Sequence, residues 1–198
     1  MENIEDFKKP ILKGKHEKTS TRIFRPYEIE RLLKYGIIKP RHKTMFRALL
    51  YTGMRYVEMQ RFQRYPSWFD GDFIHLPNFR ASRKQKRKQP DRWVRLNNQG
   101  KMVIELFCNL DEKLPGYKGW NKNLETWCKR AEISPKGVSA KSTRKTWESW
   151  LMFTYPTRIL DIVGSQGHTT TISIQHYCNM PFTERDKVEI IKYVEGWV

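Results

Sequence analysis

Residues 51–58 run Tyr51-Thr52-Gly53-Met54-Arg55-Tyr56-Val57-Glu58, and they put a strong cation where a helix ordinarily disfavours one. Gly53 permits a sharp turn, which sets Arg55 in the first turn of the helix that follows. The helix dipole favours anions at that end, so a guanidinium there is in conflict with it. An anionic ligand at the same place removes the conflict. Glu58, one turn on, is placed to hold the guanidinium in a fixed orientation; an i,i+3 ion pair of this kind is also a common feature of ordinary helices.

Two further segments set polar groups beside structural breakers. Lys141-Ser142-Thr143-Arg144-Lys145 is predicted to carry residues 141, 144 and 145 on one helical face, ahead of an apolar face with Trp147 and Trp150. Cations at that spacing repel unless an anion lies between them. Gly164-Ser165-Gln166-Gly167-His168-Thr169-Thr170-Thr171 reads as a break, with Tyr177-Cys178 downstream. A single tyrosine in an apolar stretch is ordinarily core, and a single histidine after glycine is ordinarily a loop residue. Their occurrence together is what points to chemistry.

Around these segments the periodicity is mainly helical. Pro26 fits a first turn, Ile29, Leu32 and Leu33 recur at i, i+3, i+4, and Gly36 with Pro40 closes that helix. Met45, Phe46, Leu49 and Leu50 mark a second helix, and residues 54–62 a third with Val57 and Phe62 apolar. Residues 68–76 read as two short strands around Asp70-Gly71, and residues 93–96 as a third strand. Between them lies Arg80-Ala81-Ser82-Arg83-Lys84-Gln85-Lys86-Arg87-Lys88, which is placed at a β-hairpin tip and also fits a solvated loop or localisation signal. Helices are predicted over residues 103–110, 120–131, 139–153 and 157–163, then a short one ending near Tyr177, and an amphipathic one over 183–194. The expected fold is mostly α with a small antiparallel β-sheet (α+β). Residues 1–21 form a basic arm or linker and 22–198 a single domain.

The 198 residues hold 38 Lys+Arg against 21 Asp+Glu, a formal charge of +17, which calls for a polyanionic partner: DNA, RNA or an anionic membrane surface. A mean hydropathy of −0.75 with no long apolar run excludes a transmembrane helix. An aromatic content of 13%, including 7 Trp, excludes disorder throughout. Cys108, Cys128 and Cys178 are odd in number and form no CxxC pair, against a disulfide scaffold or zinc site. His16, His42, His75, His168 and His176 show no HxxxH or HExxH spacing, so no metal is expected. Met1 to Asp6 is acidic and lacks an apolar signal region, so a cytoplasmic location is expected.

In chain order, the three polar segments resemble the boxes of the tyrosine recombinases, or phage-type integrases. Thr52-Gly53-Met54-Arg55-Tyr56-Val57-Glu58 is similar to their T-G-(hydrophobic)-R-x-x-E box, and Gly167-His168, with Tyr177 nine positions on, to their last box. Lys141-x-x-Arg144 stands where the family has His-x-x-Arg, a lysine variant associated with archaeal and archaeal-virus integrases. Phe24 to Leu33 resembles the helix that opens the catalytic domain, and the likeness covers roughly residues 22–195.

The resemblance implies the DNA breaking-rejoining fold and a site-specific recombinase that integrates or excises a viral or mobile element. By that resemblance Tyr177 attacks a DNA phosphodiester, leaving a 3′-phosphotyrosyl link and a free 5′-hydroxyl. Arg55, Arg144 and His168 donate to the non-bridging oxygens, and a hairpin lysine protonates the leaving oxygen: Lys84, with Lys86 as the alternative. Lys141 takes the general-base position, where a protonated lysine acts instead as a phosphate ligand. Glu58 supports Arg55, while Arg80, Arg83, Lys86, Arg87, Lys88 and Lys145 grip the duplex. No metal or nucleotide cofactor is implied. The implied partners are double-stranded DNA attachment sites and further copies of the chain in a synaptic tetramer. Only 54 residues precede Arg55, so the usual N-terminal core-binding domain is expected to be absent. The final helix is expected to pack on a neighbouring protomer or to fold back. A catalytically inactive DNA-binding domain of the same fold, and type IB topoisomerase-like relaxation, stand beside the integrase reading.

Overall fold

Apolar periodicity becomes buried helix faces throughout the computed structural model, which describes residues 21–78, 91–167 and 182–198. Helix α1 (Pro26–Arg31) starts on its proline and widens into a π-turn over Leu32–Gly36, where the Ile37 N–H donates to the Leu32 carbonyl at 2.7 Å. The wide turn keeps Leu32 and Ile37 fully buried. It also brings Gly36 so close to helix α5 (Tyr117–Arg130) that a Cβ would lie 2.6 Å from the Trp127 carbonyl oxygen. Pro40 does not merely end this segment; it opens α2 (Pro40–Thr52), whose Met45, Phe46, Ala48, Leu49 and Leu50 have no exposed surface. Helix α3 (Tyr56–Phe62) buries Tyr56, Glu58, Met59 and Phe62. Of the apolar pair Val57 and Phe62, Phe62 is buried and Val57 is exposed, because Tyr56, Met59 and Phe62 set the inward face at three-residue spacing.

Among the described residues the sheet has two strands where three were expected. β1 (Phe73–Leu76) pairs antiparallel with β2 (Arg92–Arg95), in the register Phe73↔Arg95 to Leu76↔Arg92. Ahead of β1, Pro66–Trp68 forms a 3₁₀ turn and only Phe69 bridges to Ile74. The Asp70 carboxylate accepts from the Asp72 and Phe73 N–H groups at 2.9 and 2.7 Å, closing an Asx-type turn that takes these donors out of a ladder. Residues 77–91 connect the two arms of the hairpin, and of the basic run between them residues 79–90 lie outside the described residues.

Helices return in α4 (Asn98–Cys108), capped by the Asn97 side chain at 2.8 Å from the Gly100 N–H, and in α5. Helix α6 (Ser142–Thr154) is the central element, with Trp147, Trp150 and Leu151 fully buried among α2, α7 (Ile159–Gln166) and α8 (Glu184–Val194). The break expected over residues 164–167 narrows to one residue: α7 continues through Gly164, Ser165 and Gln166, and Gly167 alone turns left-handed, at φ 65°. The short helix expected before Tyr177 lies outside the described residues. Helix α8 folds back on its own chain, with Ile190, Val194 and Trp197 buried and the Tyr193 ring 5.0 Å from that of Trp150. The Asn97 amide donates to the carbonyls of Tyr193 and Glu195 at 2.7 and 3.1 Å. Among the described residues no helix is long and apolar enough to cross a membrane.

Candidate active site

The α2–α3 junction, the first turn of α6 and the end of α7 converge on one another. At the junction Gly53 adopts φ 58°, and a Cβ there would come within 2.5–2.8 Å of Gln166 and Trp147 side-chain atoms. Arg55 follows as the N-cap of α3. Its backbone N–H donates to Glu58 Oε2 at 2.8 Å and its Nη1 to Glu58 Oε1 at 2.7 Å. The carboxylate supplies the negative charge that the helix start favours, which resolves the conflict posed by a cation there. Arg55 Nη2 donates to the Gly167 carbonyl at 3.3 Å, and its side chain keeps 33% exposure, enough to meet a ligand.

Arg144 enters from α6 and is buried. Its Nη1 donates to the Gly53 carbonyl at 2.8 Å and its Nη2 to the Gln166 carbonyl. These carbonyls close α2 and α7, so the guanidinium meets the negative ends of two helix dipoles. The Gln166 amide in turn donates to the Thr52 carbonyl at 3.3 Å. Burial pulls the Arg144 pKa down to about 10, as does the nearby Arg55, against Glu58 and Glu148; the group stays cationic at neutral pH.

Arg92, on β2, belongs to the same network and was not among the expected site residues. It is buried, donating from Nη2 to Glu58 Oε2 at 2.7 Å and from Nε to the Ser165 carbonyl at 3.1 Å. Period-two alternation is the signal that finds it: Val94 and Leu96 point inward, so residue 92 does too, and Trp93 points out. Three guanidiniums thus surround Glu58. Burial alone would raise its carboxyl, but Arg92, by charge and hydrogen bond, then Arg55 and Arg144 outweigh it and hold the group at about 2.

The remaining expected residues are placed differently. Lys141, Arg144 and Lys145 do not form one cationic stripe. Lys141 is the exposed N-cap of α6, Arg144 turns into the core and Lys145 is half-buried, its pKa lowered by burial. What separates them is burial: Lys141 stands outside the helix as its N-cap, while Arg144 is drawn in by the Gly53 and Gln166 carbonyls. Arg80, Arg83, Lys84, Lys86, Arg87, Lys88, His168 and Tyr177 lie outside the described residues. His168 directly follows Gly167, whose carbonyl Arg55 holds. Among the described residues, no three or more His, Cys, Asp or Glu side chains gather as a metal site would require.

A guanidinium has five N–H groups, and Arg55 and Arg144 each direct two nitrogens at the carbonyl and carboxylate partners named above. The planar fork of a guanidinium suits a phosphate better than a lysine ammonium does.

No family model matches the chain, and no curated protein is detectably similar to it in sequence. Solved structures are similar in fold. XerA recombinase superposes with a TM-score of 0.60 at 18% identity, over 94% of this chain and 69% of that one. The integrase of transposon Tn1549, in complex with circular intermediate DNA, gives 0.62 at 14% identity, over 87% and 67%. The integrase of mycobacterium phage Brujita gives 0.57 at 15% identity, over 95% and 63%. The chain therefore spans about two thirds of the length of these solved chains, and what it shares with them is the catalytic-domain fold of the tyrosine recombinases.

Proposed function

We propose that this chain is a site-specific DNA recombinase of the integrase type, cutting and rejoining strands through a covalent 3′-phosphotyrosyl intermediate. The observation that carries the proposal is the convergence of Arg55 and Arg144, from separate helices, on the neighbouring carbonyls of Gly167 and Gln166. Two such donors are what a phosphodiester needs as charge builds on its non-bridging oxygens. In this reading residues 22–198 are the catalytic domain, and His168, next in the chain after Gly167, adds a third donor.

Tyr177 supplies the nucleophile. A phenol that ionises near 10 in water is helped toward phenolate by the excess positive charge of the site. Its oxygen bonds to phosphorus as the bond to the 5′-oxygen breaks, and Lys84 or Lys86 protonates the departing oxygen. Lys141, exposed at the start of α6, acts as a phosphate ligand. Arg80, Arg83, Arg87, Lys88 and Lys145 hold the duplex, so binding weakens steeply with salt. A second 5′-hydroxyl then reverses the attack and joins the strands, with copies of the chain assembled in a tetramer on attachment sites of a viral or mobile element.

The test is to incubate the protein, with chelator present, with a pool of nicked duplexes of randomised sequence. A protein–DNA adduct that survives denaturation is expected from wild type and not from Tyr177→Phe. No adduct from wild type, or one that persists in Tyr177→Phe, overturns the proposal.

A further inference from the structure

We infer that Arg92 is a positioning residue for Arg55, acting through Glu58 to fix the guanidinium that the recombinase reading assigns to the scissile phosphate; the inference rests on that reading. Arg92 is buried, with its guanidinium turned to Glu58 and the Ser165 carbonyl. Its effect is on the carboxylate. Glu58 Oε1 holds Arg55 Nη1, while Oε2 accepts from both the Arg55 backbone N–H and Arg92 Nη2. A carboxylate held by Arg55 alone moves with it, because both belong to one turn of α3. Arg92 ties that turn to another part of the fold.

The tie closes a circuit. Arg92 Nε donates to the Ser165 carbonyl, and the Arg95 N–H donates to Ser165 Oγ at 3.1 Å, so β2 is fastened to the last turn of α7 at two points. The same end of α7 presents the Gly167 carbonyl to Arg55. The guanidinium of Arg55 is thereby held from one side by Glu58 and from the other by α7, and Arg92 sets the distance between the two. Gly167 is part of the device: a Cβ there would lie 2.9, 3.0 and 3.2 Å from Arg92 Cδ, Nε and Cζ, across the path of the side chain. A lysine at position 92 keeps the charge but lacks the planar fork that reaches Glu58 and Ser165 together.

The test uses full-length wild type, Arg92→Met and Arg92→Lys, with a nicked duplex recovered from the adduct pool. One form carries the ordinary scissile phosphate and the other a methylphosphonate, which lacks the non-bridging charge that Arg55 is proposed to meet. Arg92→Met is expected to slow single-turnover adduct formation by about 10²-fold on the phosphate, the scale of a displaced catalytic group. On the methylphosphonate the loss should shrink to about threefold or less, because the misplaced charge has less to stabilise. Equal losses on both substrates mark a merely structural role and overturn the inference.

A second measurement needs neither DNA nor catalysis. The NMR order parameter of the Arg55 side-chain Nε–Hε bond should fall in Arg92→Lys, which retains the buried charge and so guards against a Met variant that does not fold. An unchanged value overturns the inference. Wild type that forms no adduct overturns the recombinase reading, and the order parameter still decides whether Arg92 positions Arg55.

Discussion

Replacing Glu58 with glutamine removes the carboxylate that three arginines surround, and its cost follows from the carboxyl's own titration. Glu58 ionises at about 2 in the folded chain against 4.5 ordinarily. A folded pKa below the unfolded one contributes stability that is fully present above the unfolded value and is lost as pH falls through the folded one. A shift from 4.5 to about 2 is linked to roughly 3 kcal/mol at neutral pH, in the range expected for breaking a buried ion pair. Urea unfolding of wild type and Glu58→Gln between pH 7 and pH 2 tests this. The variant should be less stable by roughly 3 kcal/mol at pH 7. The gap should close as pH falls from about 4.5 toward 2, since a protonated glutamate and a glutamine are then nearly equivalent. A gap below about 1 kcal/mol at pH 7, the scale of a surface pair, would refute the reasoning, as would a gap that does not change with pH.

Gly167→Ala places a Cβ at φ 65° and against the Arg92 side chain, so it should cost at least about 2 kcal/mol and lower Tm by about 5 °C in calorimetry; an unchanged Tm contradicts the contact. Burial pushes the Cys128 thiol up to about 11, so iodoacetamide at pH 8 should label it slowly in the native protein and rapidly in urea. Equal labelling rates in the two states would contradict that burial.

Local spacing explains which parts of the fold were legible in the sequence. The faces of α2 and α6 follow from apolar residues three and four apart, as in Met45, Phe46, Leu49 and Leu50, or Trp147, Trp150 and Leu151. Arg55 and Glu58 sit within one turn, so their pairing is a local matter as well. Arg92 is not local: it joins Glu58 across 34 residues and Ser165 across 73, and a strand begun at Trp93 omits it. Val57 misleads because apolar character alone does not choose a face: Tyr56, Met59 and Phe62, three residues apart, turn inward with Glu58 and leave Val57 outside. The hairpin lost its expected first strand to the side chain of Asp70, whose preference for binding its own backbone competes with ladder formation. The extension of α7 through Gly164 depends on packing of Gln166 against Thr52 and Arg144, which no glycine count reveals.

Mapping the covalent link tests the central claim most directly. The wild-type adduct, trimmed with nuclease and protease, should yield one modified peptide in which the Tyr177 oxygen carries a phosphate attached to the 3′-carbon of a nucleotide. The complementary fragment should bear a free 5′-hydroxyl. A link at any other residue, attachment through a 5′-phosphate, or no modified peptide at all would contradict the account.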